Sequence, residues 1–287
     1  MKNFYLLIVL ILLSCSDKVS MQEFDSAEII KTIVLPKTIN ETSGLEFYNK
    51  NFITHNDSGD GPSLYIFNEN GDLIKTMDLN KDSNFEIENN DWEDIASDDE
   101  YLFVADTGNN FGNRDNLNII RISKKDNYSV DGIIEVSYAD QETFFPRPKH
   151  KYDAEAIIII NEQLVLFSKD RENLNTDLYL VDKFDKGPQK LTSKVAFNVN
   201  SLITGGDYNN ELNFLALVSY NSKGSQYLIL FERFDLENLE ENTFKKYKIP
   251  LERAQIESIK IIDKNTFWVT SEDEGIGNPY MYKLKVN

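Results

Sequence analysis

Short apolar segments separated by polar turns recur along the chain about every fifty residues. Four of the five repeats begin with a short acidic motif that leads into a first strand. A tight polar turn, a second strand and an aromatic-rich third strand follow. The second strands are predicted at residues 52–57, 101–106, 164–170, 214–220 and 267–273. Four of them end in an acidic residue, and this regularity indicates one repeated structural unit.

Four of the five units add a fourth strand, and the last unit does not. The fourth strands are predicted at residues 73–78, 133–137, 190–196 and 244–249. A further strand at residues 29–35 precedes the first unit and has no partner there. We expect it to complete the last unit, because a closed ring leaves no long open edge.

The repeat of four strands predicts an all-β fold, a β-propeller with five blades over residues 28–287. A sixth blade is the alternative. A β-sandwich would not repeat one motif at this period, and a β-helix would need much shorter coils. No linker divides the chain, so a single domain is expected.

The N-terminus predicts export and lipid attachment. Residues 1–14 combine a basic start with a short apolar run, which is typical of a signal peptide and too short to span a bilayer. The run ends at Cys15, the one cysteine of the chain, in a context that resembles the lipobox of bacterial lipoproteins. Residues 15–27 would then form an acylated tether. Ser16 after the cysteine favours the outer membrane of the cell envelope.

The formal net charge of −18 disfavours nucleic acid as a partner. Such a charge supports solubility, but it also suits cation binding. The positions of the acidic residues decide between these interpretations.

Acidic residues gather where the strands meet long polar loops. The connections between second and third strands are long, whereas those between first and second strands are tight. Ring symmetry would direct three glutamates that begin first strands into the central channel. Oxygen ligands without histidine or cysteine suit Ca²⁺. The predicted ligands are Glu93, Glu155 and Glu257, with Asp57, Asp106 and Asp170 as outer or alternative ligands. The competing interpretation is that these acids cap turns and pair with basic residues.

Four short sequence motifs resemble those of a known protein family, at residues 43–45, 91–96, 105–110 and 153–156. In them the chain resembles uncharacterised bacterial lipoproteins and exported proteins related to the SdiA-regulated family, and more distantly phytase-type esterase-like propellers. The resemblance implies a five-bladed propeller with bound calcium and no established activity. The fourth unit departs from the pattern. It has the segment Ile203 to Asp207 at the position where the neighbouring units have a motif with glutamate.

Three functions remain open from the sequence. The first is a calcium-containing, membrane-anchored propeller that binds an unknown ligand or protein partner on its long-loop face. The second is a metal-dependent hydrolase of the lactonase, phosphoesterase or phytase type at the central channel. The third is an interaction module without metal. Nucleophilic catalysis is disfavoured because only two histidines exist and no nucleophile elbow accompanies them.

Overall fold

The computed structural model describes residues 25–81, 83–251, 254–272 and 277–287. The signal peptide, Cys15 and the tether up to residue 24 lie outside these ranges. The described chain forms strands β1 to β22, numbered in chain order, and two single-turn 3-10 helices at Lys37–Ile39 and Leu239–Glu241. None of its helices is long and apolar enough to cross a membrane.

The strands form five sheets, each built on four antiparallel strands and arranged as the blades of a propeller. Blade 1 contains β3 (Thr42–Tyr48), β4 (Asn51–Asn56), β5 (Ser63–Phe67) and β6 (Leu73–Asp78). Blade 2 contains β7 (Asp94–Ser97), β8 (Tyr101–Asp106), β9 (Asn118–Ser123) and β10 (Ser129–Tyr138). Blade 3 contains β11 (Ala154–Ile160), β12 (Gln163–Ser168), β13 (Thr176–Asp182) and β15 (Val195–Phe197). Blade 4 contains β16 (Leu202–Asn209), β17 (Phe214–Tyr220), β18 (Gln226–Glu232) and β19 (Phe244–Ile249).

Blade 5 joins the two ends of the described chain. It contains β20 (Ile256–Asp263), β21 (Thr266–Ser271), β22 (Tyr280–Lys285) and the early strand β2 (Glu28–Val34). Strand β2 pairs antiparallel with β22, with Ile33 opposite Met281. The predicted five-bladed fold and its closure by an N-terminal strand are therefore confirmed.

The first strand of each blade lies innermost, and these strands follow one another around the channel in the order β3, β7, β11, β16, β20 and back to β3. A separate apolar cluster fills each of the five interfaces between neighbouring blades. Successive side chains of a strand point to opposite faces of its sheet. Each blade therefore contributes one set of side chains to each of its two neighbours, as Ile157 and Ile158 do in different clusters.

Two details differ from the predicted strands. The single fourth strand expected at residues 190–196 is two short strands, because the chain crosses from one blade to the next there. Strand β14 (Gln189–Leu191) pairs parallel with β10 of blade 2, and β15 pairs with β13 of blade 3. At the N-terminal end, β1 (Asp25–Ser26) lies parallel to β19, with Asp25 opposite Tyr247.

Buried carboxylates connect the inner strands. Asp94 accepts hydrogen bonds from the backbone N–H of Ile157 and of Gly206, both at 3.1 Å, and so links blades 2, 3 and 4. Lys260 of blade 5 pairs with Glu46 of blade 1 and, at 2.8 Å, with Asp207 of blade 4. Part of the acidic content of the channel is therefore structural.

Candidate functional site

Five carboxylates converge where blades 1, 2 and 3 meet on the long-loop face. The long-loop face consists of residues 57–62, 107–117 and 169–175, together with the inter-blade connections 79–81, 83–93 and 139–153. Two groups of three carboxylates are close enough to share a metal ion, since one oxygen from each member lies within 4.8 Å of the others. The groups are Asp57, Asp91 and Glu93, and Glu93, Asp153 and Glu155.

Strand geometry brings these residues together. In both Asp91-Trp92-Glu93 and Asp153-Ala154-Glu155 the acids are two residues apart, which places them on one side of an extended segment. Backbone hydrogen bonds fix the segments to neighbouring strands. The N–H of Trp92 donates to the carbonyl of Asp57 at 2.9 Å, which joins blade 1 to blade 2.

Gly108 leaves room for the carboxylates. A Cβ atom at this position would overlap Glu93 Oε1 and would lie 2.5 Å from Asp91 Cγ. The residue has no positive φ, so the close approach of the carboxylates, rather than backbone conformation, requires glycine here. The loop after β8 is therefore shaped around the acidic group.

Burial and mutual repulsion raise the pKa values of these carboxyl groups. Burial, and then the charges of Glu155 and Asp57, raise the pKa of Glu93 well above its usual value. Burial and the neighbouring Asp91 raise the pKa of Asp57 to about 9. Burial also raises the pKa of Glu155 to about 8, although Lys169 opposes that change. The assembly of acids is thus electrostatically unfavourable unless a cation joins it.

The protein supplies cations to only one of the two groups. Lys169 Nζ lies 2.5 Å from Glu155 Oε2, and Arg171 Nη2 lies 2.7 Å from Asp153 Oδ2. Among the described residues, the Glu93 carboxylate receives no hydrogen bond and forms no ion pair, although Glu93 is only 4% exposed. A carboxylate oxygen of Asp57, Oδ1, is also buried without a hydrogen-bond partner. Within the described chain, the group of Asp57, Asp91 and Glu93 therefore forms no ion pair. Burial raises the pKa of Asp91, and the charge of Arg114 opposes that change.

The other predicted ligands lie outside both groups. Asp106 pairs with Arg114 at 2.8 Å and accepts a hydrogen bond from the Asp91 N–H at 3.1 Å. Asp170 caps the following turn by accepting the N–H groups of Glu172 and Asn173. Their roles as metal ligands stay predictions, and their contacts match the turn-capping alternative.

Glu257 is buried within electrostatic range of Lys169. One of its oxygens, Oε1, has no hydrogen-bond partner among the described residues. Burial raises its pKa well above the usual value, while the charge of Lys169 lowers it. Within the described chain, Glu257 does not join either group of three, and its predicted role as a metal ligand stays a prediction.

Four residues of the site were not predicted as functional from the sequence. Asp91 and Asp153 could have been found, because the spacing Asp-x-Glu occurs at both positions. Lys169 and Arg171 carried no comparable signal, since isolated basic residues in a polar loop are common. Their role depends on which carboxylates the fold brings to them.

No protein-family model matches the sequence. No curated protein matches it either. Among solved structures, the chain is similar to one in the crystal structure of the mitotic checkpoint complex, with 8% identity, 99% of each chain covered and a TM-score of 0.48. It is also similar to one in the crystal structure of a nidogen/laminin complex, with 13% identity, 83% of this chain and 78% of the other covered, and a TM-score of 0.45. We base the propeller fold on the strand pairing described above and the candidate site on its own geometry.

Proposed function

We propose that this protein is a cell-envelope lipoprotein whose propeller binds Ca²⁺ on the long-loop face through Asp57, Asp91 and Glu93. The observation that carries the calcium site is the Glu93 carboxylate, which is buried beside other acids and has no partner among the described residues. A buried ionised group without compensation is costly, and a bound cation would remove that cost.

The donor set fits calcium. All three side chains offer carboxylate oxygens, and no histidine or cysteine lies in either group. Hard oxygen donors favour Ca²⁺ or Mg²⁺ over zinc or copper. Asp57 and Asp91 are half-buried, which leaves an approach for water or ligand oxygens. Calcium accepts more oxygens than Mg²⁺ and tolerates irregular geometry, so we favour calcium.

One Ca²⁺ ion, rather than two, would bind among the five carboxylates. Lys169 and Arg171 already neutralise Asp153 and Glu155. A metal ion bound between Glu93 and those two residues would be repelled by both basic side chains. Among the described residues, Asp57, Asp91 and Glu93 form no ion pair, and we place the cation between them.

An exposed aromatic patch beside the site supports ligand or partner binding. Phe111 and Phe145 are 59% and 79% exposed, and Phe144 is exposed as well. The N–H of Arg147 donates to the carbonyl of Phe111 at 2.8 Å, so the two loops that carry these rings touch. Neighbouring Asn110 accepts a hydrogen bond from Arg171 and lies beside Asp91. Large aromatic side chains exposed on two touching loops suit an interaction site.

Hydrolysis at the same site is a second candidate function. Glu155 favours it, because its carboxyl group lies beside the three proposed ligands and, with a pKa that burial raises to about 8 in the cation-free protein, can exchange a proton. A bound cation would supply polarisation of a substrate carbonyl or phosphoryl oxygen. The protein would contribute the proton at Glu155, and Lys169 would hold that side chain in place.

Membrane attachment is proposed through a diacylated Cys15 in the outer membrane. It is supported by the apolar run before Cys15 and by the serine after it. The lipid anchor would hold the propeller at the membrane surface while the long-loop face binds its partner.

Calorimetric titration of the purified protein with CaCl₂ tests the metal site. We expect saturable binding with one ion per chain. Glu93→Gln should weaken binding at least about tenfold, because it removes one of the three carboxylates proposed to hold the ion. Asp170→Asn is the matched control and should bind as the parent does. Absence of saturable binding, or equal losses in both variants, would overturn the proposed site.

A further inference from the structure

A cleft of about 600 Å³ lies on the outer part of blade 2, beneath the connection from blade 1. Its base is apolar, because several of the residues that line it are buried and aliphatic. These are Ile87, Leu117, Ile120 and Val136, each 5% exposed or less. Partly buried Ile133 and exposed Pro188 extend the apolar surface. The volume lies in the range of sites that bind small ligands or peptide side chains.

The rim of this cleft is anionic. Its exposed acidic residues are Glu86, Glu88, Asp115 and Glu135. No ion pair or side-chain hydrogen bond involves these four carboxylates within the part of the chain that the structure describes. No lysine or arginine lines the cleft. The buried acid in the lining, Asp106, is already paired with Arg114. The rim thus presents negative charge over an apolar base with no internal cation to neutralise it.

The backbone beside the cleft has an open strand edge that can form hydrogen bonds with a ligand. Strand β10 contributes residues 133 and 135 to 137 to the lining and is the outermost long strand of blade 2. On its outer edge, β14 pairs only with Val136, Ser137 and Tyr138. Within the described chain, the stretch from Ser129 to Glu135 pairs only with β9. An extended peptide could add to this open edge.

We propose that this cleft is a second binding site, separate from the carboxylate site, for a short lysine-bearing peptide segment of a protein partner. Lysine side chains would pair with the rim acids, and an aliphatic side chain would lie on the isoleucine-rich base. The free edge of β10 favours a peptide over a small polyamine, because only a peptide offers backbone groups for strand pairing.

Fluorescence anisotropy with the labelled peptide Lys-Leu-Lys-Leu-Lys tests this site. We expect saturable binding that weakens with added salt, since the contacts are partly ionic. The double variant Glu88→Gln/Glu135→Gln should weaken binding by about fivefold or more, given typical energies of exposed ion pairs. The peptide Lys-Ser-Lys-Ser-Lys should bind more weakly, because it cannot use the apolar base.

The matched control is Glu240→Gln/Glu241→Gln, which removes the same charge from an exposed 3-10 helix in blade 4. It should leave peptide affinity unchanged. Equal losses in both double variants would show that only net charge matters and would overturn the site. Equal affinity for the leucine and serine peptides, or tighter binding of spermine than of the leucine peptide, would overturn the peptide assignment. The melting temperature of each variant shows that the protein remains folded.

Discussion

Gly108 faces Glu93 across the candidate calcium site, and the space that a side chain would occupy at Gly108 is filled by the Glu93 carboxylate. The two residues lie on different segments of blade 2, one after β8 and one before β7. The position of the carboxylate therefore depends on the absence of a side chain at residue 108.

We expect Gly108→Ala to weaken Ca²⁺ binding at least about tenfold, because the added methyl group would displace Glu93 and Asp91. Calorimetric titration measures this change. Gly61→Ala is the control on the same face, since its Cβ would meet only Ser63 Oγ, at 3.9 Å. A Gly108→Ala variant with parental affinity would contradict the placement of the cation beside Glu93.

The pH dependence of stability should reveal the repulsion among the acids. The pKa of Asp57 rises from 3.8 to about 9 on folding, and that of Glu155 rises from 4.5 to about 8. The folded state therefore holds more protons than the unfolded state at neutral pH, and its stability falls as pH rises. With chelator present, we expect the free energy of unfolding to fall by about 1 to 2 kcal/mol per pH unit between pH 7 and 8.

Denaturation with urea at both pH values measures this dependence. The window begins at pH 7 because burial lowers the pKa of both histidines. Their contribution to stability rises with pH around the unfolded histidine pKa of about 6.5 and would oppose the trend there. Saturating Ca²⁺ should flatten the dependence, since a bound cation favours the ionised acids. Asp57→Asn should flatten it partly without calcium. A stability that rises with pH in chelator would argue against uncompensated carboxylates.

Closure of the ring should depend on the buried side of β2. Ile33 is 6% exposed and belongs to the apolar cluster between blades 5 and 1. We expect Ile33→Ala to lower the free energy of unfolding by about 2–4 kcal/mol, because it leaves a cavity. Ile30 lies on the same strand but is 46% exposed, so Ile30→Ala should change stability by about 0.5 kcal/mol or less. Equal effects of the two substitutions would be inconsistent with β2 as the closing strand.

Lipid attachment is tested by Cys15→Ala in cells labelled with a palmitate analogue. We expect the variant to lose the label and to remain uncleaved or become soluble, because the acylated thiol is absent. Ser14→Ala is the control, since it keeps the cysteine, and it should still be labelled. Continued membrane partitioning of an unlabelled Cys15→Ala protein would contradict the proposed anchor.

The sequence determined the blade count and most of the strands because both depend on local alternation of apolar and polar residues. The same alternation predicted that β2 would have to pair outside its own unit. The crossing of residues 189–197 between two blades was not predictable, because the pairing partner of a short edge strand is set by distant chain segments. The lengths of the loops likewise predicted the face on which the acids gather.

The membership of the site was decided only by the tertiary structure. Glu93, Glu155 and Asp57 were identifiable as acids at strand ends, but their distances depend on how three blades pack. Which carboxylates retain an uncompensated charge depends on where Lys169 and Arg171 come to lie. The packing of the ring brings these two basic residues to their partners. The strength of an ion pair depends on the distance in space, which the separation along the chain does not determine.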